Sequence, residues 1–275
     1  MSEAARSRPG IALGRYPERA DERQAWLDRV AGAAFGMLRR NFGRNNLDRD
    51  FVDLVAAAAQ GLDRLDERAI SAIVAELRHE LHRHGLRPDL VARSFALIRE
   101  LAGRRLGIRH FDVQLAGGWA MVRGKIAEME TGEGKTLTAT LPAATAALAG
   151  IPVHIITVND FLVSRDAAWM KPVYDALGLS VGTVLEGMAL AERRRAYGCA
   201  ITYCTNKQIV FDYLKDRLLL QQENRALHLR IEGLHRNEPR VHKLMMRGLC
   251  FAIVDEADSV LVDEARTPLI ISGGQ

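Results

Sequence analysis

Gly132-Glu133-Gly134-Lys135-Thr136 constrains this chain more than any other stretch. Two glycines one residue apart, then lysine and threonine, form the core of a phosphate-binding loop. Glycine lets the backbone turn tightly enough for successive N–H groups to point at one phosphate. Lys135 would reach the β- and γ-phosphates, and the Thr136 hydroxyl would bind Mg²⁺ at the start of the following helix. Met129 stands where the strict pattern has glycine, so the flanks must supply the context. Lys125 to Glu130 reads as a short strand and Leu137 to Ala149 as an alanine-rich helix, which is the strand, loop and helix setting the motif needs.

A second element pairs with it. Phe251-Ala252-Ile253-Val254 is an apolar strand that runs into Asp255-Glu256-Ala257-Asp258. Carboxylates at the C-terminal edge of a parallel strand lie where open α/β sheets bind ligands. Asp255 is expected to hold Mg²⁺, directly or through water, and Glu256 to orient and deprotonate an attacking water.

Ahead of the loop, helical periodicity dominates. Trp26 to Leu38 carries apolar residues at three- and four-residue spacing, either a helix packed on the body or one lying on acidic lipid. Helices are expected over Arg49 to Gln60, Glu67 to His84, and from Pro88 to about Arg105. From Phe111 the pattern alternates. Strands are expected at Ile151–Val158, Ser180–Leu185, Ala200–Thr205, Leu249–Val254 and Pro268–Ser272, with helices between the first four. Asn159-Asp160 caps one of these helices and Gly178 ends it. Gln221 to Arg247 is charged and weakly helical. The expected fold is a parallel-sheet α/β phosphate-loop NTPase, with an arm at 1–19, a helical segment at 20–107 and the nucleotide domain at 108–275.

Composition excludes little. A net charge of +4 permits an anionic partner without requiring one. Three cysteines with no Cys-x-x-Cys spacing suggest neither a disulfide framework nor a metal site. The first residues show no signal peptide, and no run approaches the ~18 apolar residues of a membrane span.

Several blocks together resemble the SecA preprotein translocase ATPases. They are Arg109-His110-Phe111-Asp112-Val113-Gln114-Leu115, Thr131 to Thr136, Thr157-Val158-Asn159-Asp160 with Arg165-Asp166, Phe211-Asp212-Tyr213-Leu214, and Asp263 to Gly273. The resemblance implies a RecA-like domain of the helicase superfamily 2 type that uses ATP and Mg²⁺. It implies that Gln114 contacts adenine, with Phe111 and Met129 beside the nucleotide. Thr131, Gly132, Glu133, Gly134, Lys135 and Thr136 would hold the phosphates. Lys135, Asp255 and Glu256 would be catalytic, and Thr136 and Asp255 would bind the metal. It further implies export of unfolded preproteins through a SecYEG-type membrane channel, docking on acidic phospholipid at the cytoplasmic face of the inner membrane, and no nucleic acid; homodimerisation is left open. The chain departs from the family at Thr202-Tyr203-Cys204-Thr205-Asn206-Lys207-Gln208, where the usual pattern is Thr-Tyr-Gly-Thr-Asn-Asn-Glu. The alternatives are a DEAD-type nucleic-acid helicase, since Asp255 to Asp258 spells that motif, and an ATP-binding module without motor activity.

Overall fold

The computed structural model describes residues 46–220 and 244–263. The expected N-terminal arm, the Trp26–Leu38 helix, most of the charged insert and the Pro268–Ser272 strand lie outside the described residues.

Three helices come first: α1 (Asn46–Ala58), α2 (Glu67–His84) and α3 (Pro88–Leu106), with a 3₁₀ turn at Leu62–Arg64 between the first two. Local chemistry sets their ends. The Asp66 carboxylate accepts from Ala69 N at 2.7 Å to cap α2, and Pro88 occupies the first turn of α3, where no amide donor is needed. Next come α4 (Asp112–Val122) and α5 (Lys135–Leu148). The remaining elements alternate: β1 (Val153–Thr157), α6 (Asp160–Ala176), β2 (Val181–Val184), α7 (Leu190–Tyr197), β3 (Ile201–Thr205), α8 (Asn206–Leu220) and β4 (Phe251–Val254).

The four strands are parallel in the order β2-β3-β1-β4. Val153 lies opposite both Ile201 and Phe251. All five residues of β1, Val-His-Ile-Ile-Thr, are buried, as a central strand covered on both faces requires. One apolar cluster runs from Phe51 and Val55 of α1 through Phe95 and Leu101 of α3 and Leu141 of α5 to Ile155 of β1, so the helices before the loop share their core with the sheet. Phe51 stacks on Trp119 of α4 with ring centroids 4.3 Å apart.

Two expectations are corrected. Lys125–Glu130 forms no strand. Its only sizeable apolar side chains are Ile126 and Met129; Ile126 is 90 % exposed, and the backbone bonds at its ends go elsewhere. Lys125 N closes the turn after α4 on Ala120 O, and Glu130 N donates to the Glu133 carboxylate. The second correction is the unexpected helix α4, which fills the stretch before that turn. Its buried Leu115 and Trp119 are four residues apart and give it an inner face.

A buried charge pair ties the far side together. Arg193 of α7 donates from Nη1 to both Asp212 oxygens at 3.0 Å, and Tyr197 OH donates to the same carboxylate. Asp212 is completely buried. On α8, one turn on, Asp216 accepts from Met245 N and Met246 N, fixing where the chain returns before β4. Cys204, at the position where the family pattern has glycine, is fully buried beside Val184 and Ile209 and fills core volume. Replacing Asp212 by alanine leaves the Arg193 guanidinium buried without its counter-charge. The expected cost is about 3–5 kcal/mol of stability, read from denaturant unfolding. A loss below about 1 kcal/mol would mean that water reaches the pair freely.

Among the described residues no helix is long and apolar enough to cross a membrane.

Candidate nucleotide site

The site gathers at the C-terminal edge of the sheet, where β1 and β4 end and α5 and α6 begin. Gly134 is the residue before α5, and Lys135 is its first. Gly132 and Gly134 have φ of 92° and 80°, a region that side-chain-bearing residues rarely occupy. At Gly134 space is also closed, since a Cβ there would lie 2.5 Å from the Gln114 amide nitrogen. The first intrahelical bond runs from Thr138 N to Gly134 O. The amides of Gly134, Lys135, Thr136 and Leu137 therefore precede the helical ladder and are available to an anion, reinforced by the positive end of the helix dipole. Lys135 and Thr136 are half-buried, and Thr131, Gly132 and Glu133 are exposed. The glycine cradle, the unspent amides, the lysine and the hydroxyl fit a triphosphate with its divalent ion.

Across from the loop, Asp255 N extends the ladder beyond β4 by donating to Ile156 O at 2.9 Å. Glu256 is the one non-glycine with positive φ, 51°, among the described residues. Its amide is held by Asp255 Oδ1 at 3.1 Å. Strained backbone of this kind concentrates at functional sites, where it aims a side chain. Burial raises the Asp255 carboxyl above its ordinary range, and the neighbouring Asp166 carboxylate adds to the rise. The Glu256 amide, Lys135 and Arg165 oppose it. Lys135 and Asp255, 120 positions apart in the numbering of the chain, are thus within electrostatic reach of each other.

The sequence reading gave Arg165 and Asp166 no role at the site. Arg165 donates from Nε and Nη2 to Asp166 Oδ1 at 2.8 and 2.7 Å. The Asp166 carboxylate is buried, and the arginine also feels Asp255 and Glu256. The available signal was the capped start of α6. Asn159 accepts from Leu162 N at 2.9 Å, which sets the rotation of the helix and turns Asp166 inward.

Gln114 and Phe111 lie on the strap into α4. Gln114 is buried, and both ends of its amide are engaged: Oε1 accepts from Phe111 N at 2.9 Å, and Nε2 donates to Glu133 O at 2.7 Å. One amide proton and one lone pair remain for a base. Phe111, 71 % exposed, presents an open ring next to it. Met129 is half-buried on the loop side.

A parallel sheet with a glycine loop opening a helix at one strand edge, and two acids at the end of the neighbouring strand, defines a RecA-like phosphate-loop nucleotide-binding domain. The family model for the SecA DEAD-like domain matches residues 38–275. The chain belongs to that family. It is 52% identical over 265 residues to protein translocase subunit SecA 2 of Bordetella avium and 49% identical over 264 residues to that of Nitrosospira multiformis. These alignments cover 94% and 95% of this chain, and 40% of each relative. Protein translocase subunit SecA of Solidesulfovibrio magneticus is 48% identical over 247 residues, covering 90% of this chain and 27% of the relative. The chain therefore spans well under half the length of the relatives it matches.

Proposed function

We propose that this chain is the ATP-binding and hydrolysing lobe of a SecA-type protein translocase, with residues 108–275 as the nucleotide domain and 20–107 as its helical preface. The observation that supports the reading is that Lys135, at the start of α5, lies within electrostatic reach of Asp255 at the end of β4, in a chain of the SecA DEAD-like family. The work assigned to the whole machine is the passage of unfolded preproteins through a membrane channel. Peripheral docking on acidic lipid at the cytoplasmic face belongs to the same proposal. The relatives' name, protein translocase subunit, supports this over a nucleic-acid helicase.

The chemistry follows from the side chains. The loop amides and Lys135 would hold the phosphates, Thr136 and Asp255 would hold Mg²⁺, and Glu256 would orient a water and take its proton. Bound Mg²⁺ would neutralise the charge that develops on the phosphate oxygens. A bound cation would lower the raised Asp255 carboxyl. In two-lobe motors an arginine from the second lobe stabilises the transition state, a contribution of ~10³–10⁵ in rate at related sites. This lobe alone is therefore expected to bind ATP weakly and hydrolyse it slowly.

Phosphate release from the 275-residue chain tests the reading. Slow, Mg²⁺-dependent ATP turnover that ignores RNA is expected. Turnover stimulated by RNA would sink the translocase reading in favour of a helicase. Turnover per chain at the rate of an intact two-lobe motor would sink the single-lobe part.

A further inference from the structure

The strap Arg109–Gln114 is fastened on two sides. Toward α3, Arg109 Nη2 donates to the buried Glu100 carboxylate at 2.6 Å, and Asp112 pairs with Arg99 at 3.2 Å. Toward the phosphate half, two bonds bracket the loop. Gln114 Nε2 reaches the Glu133 carbonyl just before Gly134. His110 Nε2 lies 2.9 Å from the carbonyl of Leu137, the residue after Thr136.

A carbonyl can only accept, so the bond to Leu137 O requires the proton on Nε2, which also lies 3.2 Å from the Thr140 hydroxyl, and leaves Nδ1 as a bare acceptor. That Nδ1 is buried and has no partner. An unsatisfied buried nitrogen costs folding free energy that a leucine of similar size would not. The histidine is therefore hard to explain as packing. Its return is the bond to the first turn of α5, where a second donor, Thr140 Oγ1, meets the same carbonyl at 2.6 Å.

We propose that His110 is a positioning residue of the nucleotide site: its Nε2–H anchors the first turn of α5 through the Leu137 carbonyl, so that the strap and the phosphate loop form one rigid unit. This rests on reading the loop as a nucleotide site. Because the anchor acts on backbone behind Lys135 and Thr136, while Gln114 keeps its own bond to the Glu133 carbonyl, its loss is expected to fall on the phosphate side. Phe111, on the other side of the strap, is where the base would be felt.

The test compares His110→Leu, which keeps the volume and loses the donor, with His110→Gln, whose amide nitrogen replaces Nε2. ATP and GTP are titrated against the 275-residue chain, well below the melting temperature of every variant. His110→Leu is expected to weaken both nucleotides by the same factor, about tenfold, with His110→Gln within about threefold of the parent. Parental affinity in His110→Leu, equal losses in both variants, or a loss confined to ATP would each overturn the proposal. Lys135→Ala runs alongside. If it binds ATP like the parent, the nucleotide-site reading falls and takes this inference with it; if it fails to bind, the two His110 variants decide the inference alone.

Discussion

Lys135→Ala is expected to lower ATP affinity by about 10²-fold or more, whereas Glu256→Gln keeps the affinity and lowers turnover by ~10²–10³. The two residues stand on opposite sides of the site and act at different moments. Lys135 opens α5 among unspent amides and meets phosphate charge that is present from the first encounter, so its loss appears in binding. In the proposed reading Glu256 would meet a water whose proton leaves only as the reaction proceeds, so its loss would appear in rate. Its left-handed backbone, held by the Asp255 carboxylate, aims the side chain, and glutamine preserves that geometry while removing the basicity. Equilibrium titration and phosphate release, run on the same preparations, separate the effects. A Glu256→Gln variant that hydrolyses ATP at the parental rate removes Glu256 as the base. A Lys135→Ala variant that binds as before removes the phosphate reading of the loop.

Acid should destabilise this chain before most of its carboxylates are protonated. His110 and His154 are both buried, each has an Nδ1 without a partner, and each is lowered from 6.5 to about 4. Burial is the main cause in both, with the charge of Arg99 acting on His110 and that of Arg247 on His154. A depressed histidine stays neutral in the fold while the unfolded chain takes up a proton. The stabilisation from these rings is therefore complete above pH 6.5 and is lost as the pH falls from 6.5 toward 4. Each ring contributes about 3 kcal/mol over that window, and together they rival the stability of an ordinary domain. The raised carboxyls of Asp216 and Asp255 act with the opposite sign, and only from about the usual carboxylate range upward, so they soften the low end of the slope. Melting followed from pH 7.5 to 4.5 is expected to show a fall on the order of 10–20 °C. Substituting His154 with leucine should take away about half of the dependence. A flat profile would mean that the rings take up protons as readily in the native state as in the unfolded chain.

The extent to which sequence foretold structure depended on how local the signal was. Asn159, the unbroken apolar run of β1 and the glycine after α6 each act within a few residues, and the helix and strand appear where those residues put them. Phe251 to Val254 was recognisable as a strand because its run ends in acids. Lys125–Glu130 misled because one isoleucine and one methionine among charges resemble a strand until a neighbour is required, and Ile126 points into solvent. Helix α4 was masked by Gly117 and Gly118, which weaken a helical reading although Gly118 lies against Phe95 and Leu141. Asp166 and His110 were invisible as site residues for a different reason. Asp166 lies beside the like-charged Asp255 and His110 bonds the Leu137 carbonyl, both far away along the chain, and a lone aspartate or histidine carries no spacing to read. Gln114 was found for its amide, yet that amide already bolts the strap to the loop.

The register that sets β1 beside β4 also fixes an order of assembly. The phosphate loop, α5, β1 and α6 follow one another closely and can associate early during synthesis. Val153 must wait for Phe251, a partner ~100 residues downstream, and contacts of such separation close late. Asp255 and Glu256 arrive only with β4. In the proposed reading, a partly made chain would hold the phosphate loop without Asp255 and Glu256, so hydrolysis would have to wait until β4 is in place.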